Sequence, residues 1–372
     1  MKFSIVKEKF LEPLADISSI VARKTTKPIL SHALLQTSGE HLLLKGTDTE
    51  VTLQILLNEL DIKEEGAITV PAAKLLDVVR HLPAQATVYC SLEKEQLLVK
   101  AAGSVFRIAT LPAEDFPALA EADMDRRIES DSRALHDIMQ KVRFSMASED
   151  VRYYLNGMYL NIVEDGNAIH AVSTDGHRLS CARSALPSPA PMTNLIVPKK
   201  GVSELIKLLG RVSQPVVLNL GERQLSLTLG GYRLTSQLID GTFPNYEQVL
   251  PPVQETPVLV SRQAFLESLQ RAKVLLLDRH DGIRLTFSDA KLQLAARNLE
   301  NETADEALEN VAAGTGSVFI SAGNSVLYAR EGVHFLEVPD LPPARLAFLW
   351  RAGDTRDVIR VAASALQQRG DA

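Results

Sequence analysis

The stretch STDGHRLS, residues 173–180, places Asp175, His177 and Arg178 within four positions of one another. A carboxylate beside an imidazole suits acid–base chemistry, the carboxylate orienting the ring and the ring carrying a proton. On that reading the chain would be a hydrolase using Asp175 and His177. The rest of the sequence supplies no companion groups. It offers no matched nucleophile, no glycine-rich phosphate loop and no metal-ligand spacing, and its eight histidines are scattered. The same residues also read as a turn, because Asp-Gly is a hairpin signature and glycine supplies the positive φ. Asp175 is therefore expected to shape a turn, with the hydrolase kept as the alternative.

The elements that would position this stretch recur along the chain. ITVPAAKLLDVVRHL at 68–82 and LIVPKKGVSELIKLL at 195–209 each give an apolar run, Val-Pro, then an amphipathic helix. Leu75, Val78, Val79 and Leu82 in one, and Val202, Leu205, Ile206 and Leu209 in the other, fall at helical spacing. Proline suits a first helical turn, where its missing N–H costs nothing. Alternating strands follow each helix, with hairpin signals at Gly221–Glu222 and Gly230–Gly231. Both copies close on Phe-Pro, at 116–117 and 243–244. An earlier helix recurs as well, at KEKFLEPLADISSIVARK, DSRALHDIMQKVRFSM and SRQAFLESLQRAKVLLL. A unit of about 120 residues thus occurs three times. Its boundaries fall near 124 and 252, giving domains 1–124, 125–252 and 253–372 of α+β type. KGTDTEVTL in the first copy takes the place of VSTDGHRLS in the second, so Thr-Asp recurs where no histidine follows.

Composition excludes several classes. The chain has 372 residues, 45% of them hydrophobic and 23% charged, which suits a soluble globular protein of two or three domains. No charged-then-apolar leader opens it and no stretch reaches a membrane span, so a cytoplasmic protein is expected. Cys90 and Cys181 form neither a disulfide framework nor a zinc pattern, and both read as buried thiols. The net charge of −6 rules out a globally basic nucleic-acid coat. Positive charge does recur on the polar faces of the repeated helices. Examples are Lys7, Lys9 and Lys24, then Arg133, Lys141 and Arg143, then Lys199, Lys200, Lys207 and Arg211. Gathered on one surface, these would attract phosphates without reading bases. Arg152, Tyr153 and Tyr154 in DVRYYLNG could add stacking, with the tyrosines on opposite faces of a strand.

MKFSIVKEKFLEPL, KPILSHALL, GTDTEVTL, FSMASEDVRYYLNGMYL, STDGHRLS, IVPKKGVSELIKLL and IDGTFPNYEQVLP occur in order over residues 1–251, within a match that runs to about 308. In these segments the chain resembles the bacterial DNA polymerase III beta subunit, the replication sliding clamp. The resemblance implies three tandem DNA-clamp domains, each with two helices packed on antiparallel sheets, forming a ring as a dimer. It implies a non-enzymatic processivity factor with no cofactor and no metal, which encircles duplex DNA and docks linear peptides. The implied partners are a second copy, the polymerase III alpha subunit, the clamp loader and other proteins bearing the clamp-binding motif, with no membrane. DNA-facing positions carry over onto Lys24, Arg152, Tyr153, Tyr154 and Lys200. The partner-peptide pocket carries over onto Leu155, Thr174, Gly176, His177, Arg178, Leu179, Pro244 and Val249. The dimer interface carries over onto Phe106 and Ile108 on one side, with Val274 and Leu275 on the other.

Two features depart from the family pattern. Residue 248 is Gln where arginine is common, and after about 310 the sequence leaves the pattern and ends in polar SALQQRGDA. A diverged clamp paralogue with an altered partner pocket therefore stands as an alternative, as does a repeat-built scaffold that ignores DNA.

Overall fold

The computed structural model describes residues 1–22, 25–118, 123–250, 260–276, 282–288, 291–298 and 300–309. The first repeat runs β1 (Lys2–Val6), α1 (Lys7–Ile20), β2 (His32–Ser38), β3 (His41–Thr47), β4 (Val51–Leu57), β5 (Asp61–Glu64) and β6 (Gly66–Pro71). It continues through α2 (Ala72–His81), β7 (Thr87–Glu93), β8 (Gln96–Ala101) and β9 (Ser104–Ala109). The second repeat runs β10 (Arg126–Asp131), α3 (Ser132–Val142), β11 (Gly157–Val163), β12 (Ala168–Thr174), β13 (Leu179–Ala185) and β14 (Asn194–Pro198). It closes with α4 (Lys199–Leu209), β15 (Pro215–Leu220), β16 (Gln224–Leu229) and β17 (Tyr232–Gln237). In the third, α5 (Arg262–Ala272), β18 (Gly282–Ser288), β19 (Lys291–Arg297) and β20 (Thr303–Glu309) are described.

The expected helices form because their apolar stripes have sheets to cover. Phe10, Leu14, Ile17 and Ile20 of α1 are fully buried, as are Leu75 and Val79 of α2. Leu135, Ile138, Met139 and Val142 of α3 and Val202, Leu205, Ile206 and Leu209 of α4 repeat this. Each such side chain contributes about 1.5–3 kcal/mol of transfer free energy. Pro71 and Pro198 sit one position earlier than expected, at the N-cap, where each ends a strand and starts a helix. Cys90 is buried, whereas Cys181 is only half-buried on β13, the outer strand of its sheet.

The described residues divide into two compact units between Asn245 and Tyr246. The first unit holds two repeats because one sheet passes through both, in the order β10-β15-β16-β17-β4-β3-β2-β6. β17 pairs antiparallel with β4, from Tyr232↔Ile55 to Ser236↔Val51. Gly231 comes so close that a Cβ there would lie 2.6 Å from the Leu56 carbonyl oxygen. The other sheets run β5-β1-β7-β8-β9 and β13-β12-β11-β14, and the second unit has β18-β19-β20.

Ion pairs seal the joint beside this shared sheet. Asp16 of α1 is 2% exposed. Its carboxylate accepts both arms of Arg211 at 2.7 Å, and Lys207 of α4 pairs with it at 2.9 Å. Burial alone would raise this carboxyl, but the bonds from Arg211 and Lys207 outweigh it and hold it below the ordinary carboxylate range. Lys200 reaches Asp48 and the Ile20 carbonyl from the start of the same helix. Three cations read as part of a basic helix face are thus engaged at the joint. Arg133, Lys141 and Arg143 remain exposed. No described helix is long and apolar enough to cross a membrane.

Candidate functional site

The turn between β12 and β13 is built by its own side chains. Thr174 Oγ1 accepts from the Gly176 amide at 3.1 Å and donates to the Arg178 carbonyl at 2.7 Å. Asp175 Oδ1 accepts from the amides of His177 and Arg178 at 3.0 and 3.1 Å, and Oδ2 accepts from Arg178 Nε at 3.0 Å. Gly176 has φ +84°, the left-handed region that glycine enters without strain. Partial burial would raise the Asp175 carboxyl, but the amide and guanidinium bonds prevail and lower it. The carboxylate is therefore occupied by main chain and by Arg178, with no bond to the His177 ring. This is a scaffolded turn, as Asp-Gly suggested.

The first repeat builds the same turn. Thr47 Oγ1 accepts from Thr49 N and donates to the Val51 carbonyl, both at 3.1 Å. Asp48 Oδ1 accepts from Glu50 N and Val51 N at 3.0 and 2.8 Å, and Thr49 has φ +83°. In the third repeat Asn298 Oδ1 takes the role, accepting from Glu300 N and Glu302 N at 3.0 and 2.9 Å.

Further groups lie around the second copy of the turn. Arg178 Nη2 donates to the Phe144 carbonyl at 2.7 Å, and its guanidinium stands 5.3 Å from the centroid of that half-exposed ring. Tyr153, Tyr154 and Leu155 form a short 3-10 turn, so the expected strand is absent here. The tyrosine rings meet edge to face at 5.9 Å, and neither enters the core. Leu155 is the buried member, and its carbonyl accepts from Ala147 N at 3.1 Å. The 3-10 turn is clipped by Asn156, whose side chain accepts from Asp150 N at 3.0 Å and donates to its carbonyl at 2.9 Å. Asp150 grips Arg152 side-on, Nε to Oδ1 at 3.0 Å and Nη2 to Oδ2 at 2.9 Å. Hydrogen bonds from Arg152 pull the Asp150 carboxyl down to about 2.

The structure brings Leu155, Thr174, Gly176, His177, Arg178 and Leu179 together through these bonds and the β12–β13 pairing. His177 and Arg178 are exposed and Leu179 is half-buried. Pro244 is exposed next to Phe243, which stacks on Tyr159 of β11 at 4.7 Å. Val249 belongs to the second unit, exposed on a 3-10 turn. Lys200 is one-third exposed within its pair with Asp48, and Lys24 lies outside the described residues. Phe106 and Ile108 lie on β9, the last strand of its sheet, with Phe106 half-buried and Ile108 buried. Val274 and Leu275 follow α5 in a short 3-10 turn, Val274 being 73% exposed. Sequence reasoning missed Asp150, Asn156 and Phe144. The spacing Asp-x-Arg in EDVRYYLNG was the available signal for the first. No group of three or more His, Cys, Asp or Glu that could hold a metal ion occurs among the described residues.

Tandem α+β modules that share a sheet across their joint, with a structural turn where an acid–base pair was sought, define a repeat-built clamp architecture. Family models agree over most of the chain. The N-terminal, central and C-terminal domains of the DNA polymerase III beta subunit match residues 1–120, 129–245 and 247–334. The last range passes the point near 310 where the sequence reading ends the resemblance. A beta sliding clamp of Pseudomonas putida is 40% identical over 307 residues, 82% of this chain and 83% of that protein. That of Escherichia coli K12 is 35% identical over 309 residues, 83% of this chain and 84% of that one. The solved sliding clamp of Pseudomonas aeruginosa, bound to griselimycin, superposes with a TM-score of 0.78 at 39% identity, covering 83% of this chain and 84% of that one. The Caulobacter crescentus polymerase III beta structure gives 0.75 at 32% identity, covering 83% and 84%. The chain belongs to the DNA polymerase III beta subunit family, the bacterial DNA sliding clamps.

Proposed function

We propose that two copies of this chain join head to tail into a ring around duplex DNA and tether the replicative polymerase without catalysing a reaction. The observation that carries this is the β17–β4 joint, which the chain already makes once within itself. Register transfers that joint to β9 and β20, the outer strands of their sheets among the described residues. β8–β9 pairs Ala101↔Ser104 as β16–β17 pairs Leu229↔Tyr232, so Phe106 stands in the place of Leu234. β19–β20 pairs Arg297↔Thr303 as β3–β4 pairs Thr47↔Thr52, so Ala304 stands in the place of Leu53. Leu234 faces Leu53 in the internal joint. Phe106 of one copy then faces Ala304 of the other, a larger residue against a smaller one, which conserves volume. Arg107 falls opposite Thr303 and diagonal to Asp305, a charge pairing that favours the correct edge. Ile108, Val274 and Leu275 would flank this seam.

Three modules, bounded near 124 and 252, supply half of the ring. Arg152, Tyr153 and Tyr154 would meet the duplex from the exposed 3-10 turn, joined by Lys24 and by Lys200 from within its ion pair. Leu155 and Leu179 would give apolar contact to a short linear peptide of the polymerase alpha subunit or the clamp loader. Thr174, Gly176, His177, Arg178 and Pro244 would frame it. The protein would act in the cytoplasm, where the chromosome is replicated. The test is retention of loaded protein on nicked circular duplex, before and after linearisation. A topological link predicts long residence on the circle and rapid loss from open ends. Equal residence on both, or only monomers by light scattering at high concentration, would overturn the ring.

A further inference from the structure

We infer that Arg152 is a positioning residue for the peptide site, a latch that holds the two walls of that site in fixed register. The inference rests on the peptide-docking role proposed above. One wall is the 3-10 turn ending at buried Leu155, and the other is the 174–178 turn. Arg152 spans them. Its guanidinium is fixed on one side by the side-on grip of Asp150, and Nη2 also reaches the Asp175 carbonyl at 3.4 Å. The guanidinium lies directly over Gly176, where a Cβ would come within 2.7 Å of Nη2 and 3.0 Å of Nη1. So Gly176 serves two ends: its positive φ makes the turn, and its bare Cα lets Arg152 close over it. Asp150 is itself pinned through its main chain to Asn156, whose carbonyl accepts from Lys199 N at 3.1 Å at the start of α4. The latch is thus anchored in the module's frame. A guanidinium suits this role because its planar fork makes several directed bonds at once, which an ammonium does not.

The test compares the full-length protein with Asp150→Asn and Arg152→Lys. Asp150→Asn keeps the main-chain clip to Asn156 and removes the charge, while Arg152→Lys keeps the charge and removes the fork. Amide hydrogen exchange reads the latch directly, without a ligand. Both variants are expected to speed exchange at Gly176, His177 and Arg178 by about threefold, the scale of a partly exposed ion pair. The second arm measures affinity for a synthetic peptide copied from the clamp-binding segment of the polymerase alpha subunit. Both variants are expected to weaken it by a similar factor, with the thermal midpoint unchanged. Unchanged exchange overturns the latch, and so does faster exchange with wild-type affinity. If wild type itself fails to bind the peptide, the docking role falls and Arg152 has no site to position.

Discussion

Replacing Asp16 by alanine tests the joint between the first two modules. It deletes the carboxylate on which Lys207 of α4 and Arg211, two residues past the end of that helix, converge, removing bonds of 2.7, 2.7 and 2.9 Å. The Asp16 side chain is 3% exposed and that of Arg211 28%, so Arg211 would be left with its charge largely out of water. Breaking a buried pair from one side costs about 3–5 kcal/mol. Arg211 keeps Glu12 at 3.4 Å, and Lys207, 37% exposed, keeps Glu204 at 3.7 Å and much of its hydration. The lower end, about 3 kcal/mol, is therefore expected. With a urea slope of about 2–3 kcal/mol per molar, the midpoint for the first unit should fall by about 1 M. Urea unfolding followed by circular dichroism reads this for Asp16→Ala, Arg211→Ala and the double variant. The two single effects should overlap, leaving a coupling of about 2 kcal/mol. The folded carboxyl is depressed, so its contribution is complete above the unfolded value of about 3.9 and is lost as pH falls through the folded one. Asp16→Asn should accordingly flatten the loss of stability in acid. An Asp16→Ala midpoint within about 0.5 kcal/mol of wild type would refute the assignment of this cluster as the seal.

Gly157→Ala would set a Cβ 2.5 Å from the Val197 carbonyl of the neighbouring strand, main chain with little room to move. A loss of about 1–3 kcal/mol in urea unfolding is expected, and no loss would show that β14 yields. The Cys90 thiol is pushed up to about 12 by burial, so it should stay neutral and unlabelled by a thiol reagent at pH 8 until denaturant is added. Labelling of Cys90 in the native protein would contradict that burial. Arg152 holds the Asp150 carboxyl at about 2, so a carboxyl NMR titration should leave it ionised through pH 4, losing charge only in stronger acid. A midpoint in the ordinary aspartate range would mean that Arg152 does not grip it.

Much of the fold was legible because it is written in local periodicity. Leu75 and Val79, or Leu135 and Met139, fall on one face whatever else the chain does, and all four are buried. The 174–178 turn was legible for the same reason, since Thr174, Asp175 and Gly176 make their bonds within four residues. What stayed hidden depends on distant partners. Asp16 reads as a polar-face residue of α1 until Arg211, in the turn after α4 of the next module, arrives beside it. The ion pair that Lys200 makes is equally invisible until Asp48, 152 residues away in sequence, is opposite it. The tyrosine pair misled because an apolar, aromatic run favours a strand, whereas the Asn156 clip and the Asp150–Arg152 pair tighten it into a 3-10 turn.

The sheet that runs from β10 to β6 also bears on how the chain can be cut. Five residue pairs of β17 and β4, together with the Asp16 and Asp48 cation pairs, unite the first two modules independently of the peptide between β9 and β10. Severing that connection should yield two fragments that stay associated and re-form one particle when mixed. Either fragment alone would bare a strand edge, and each would seek a substitute partner.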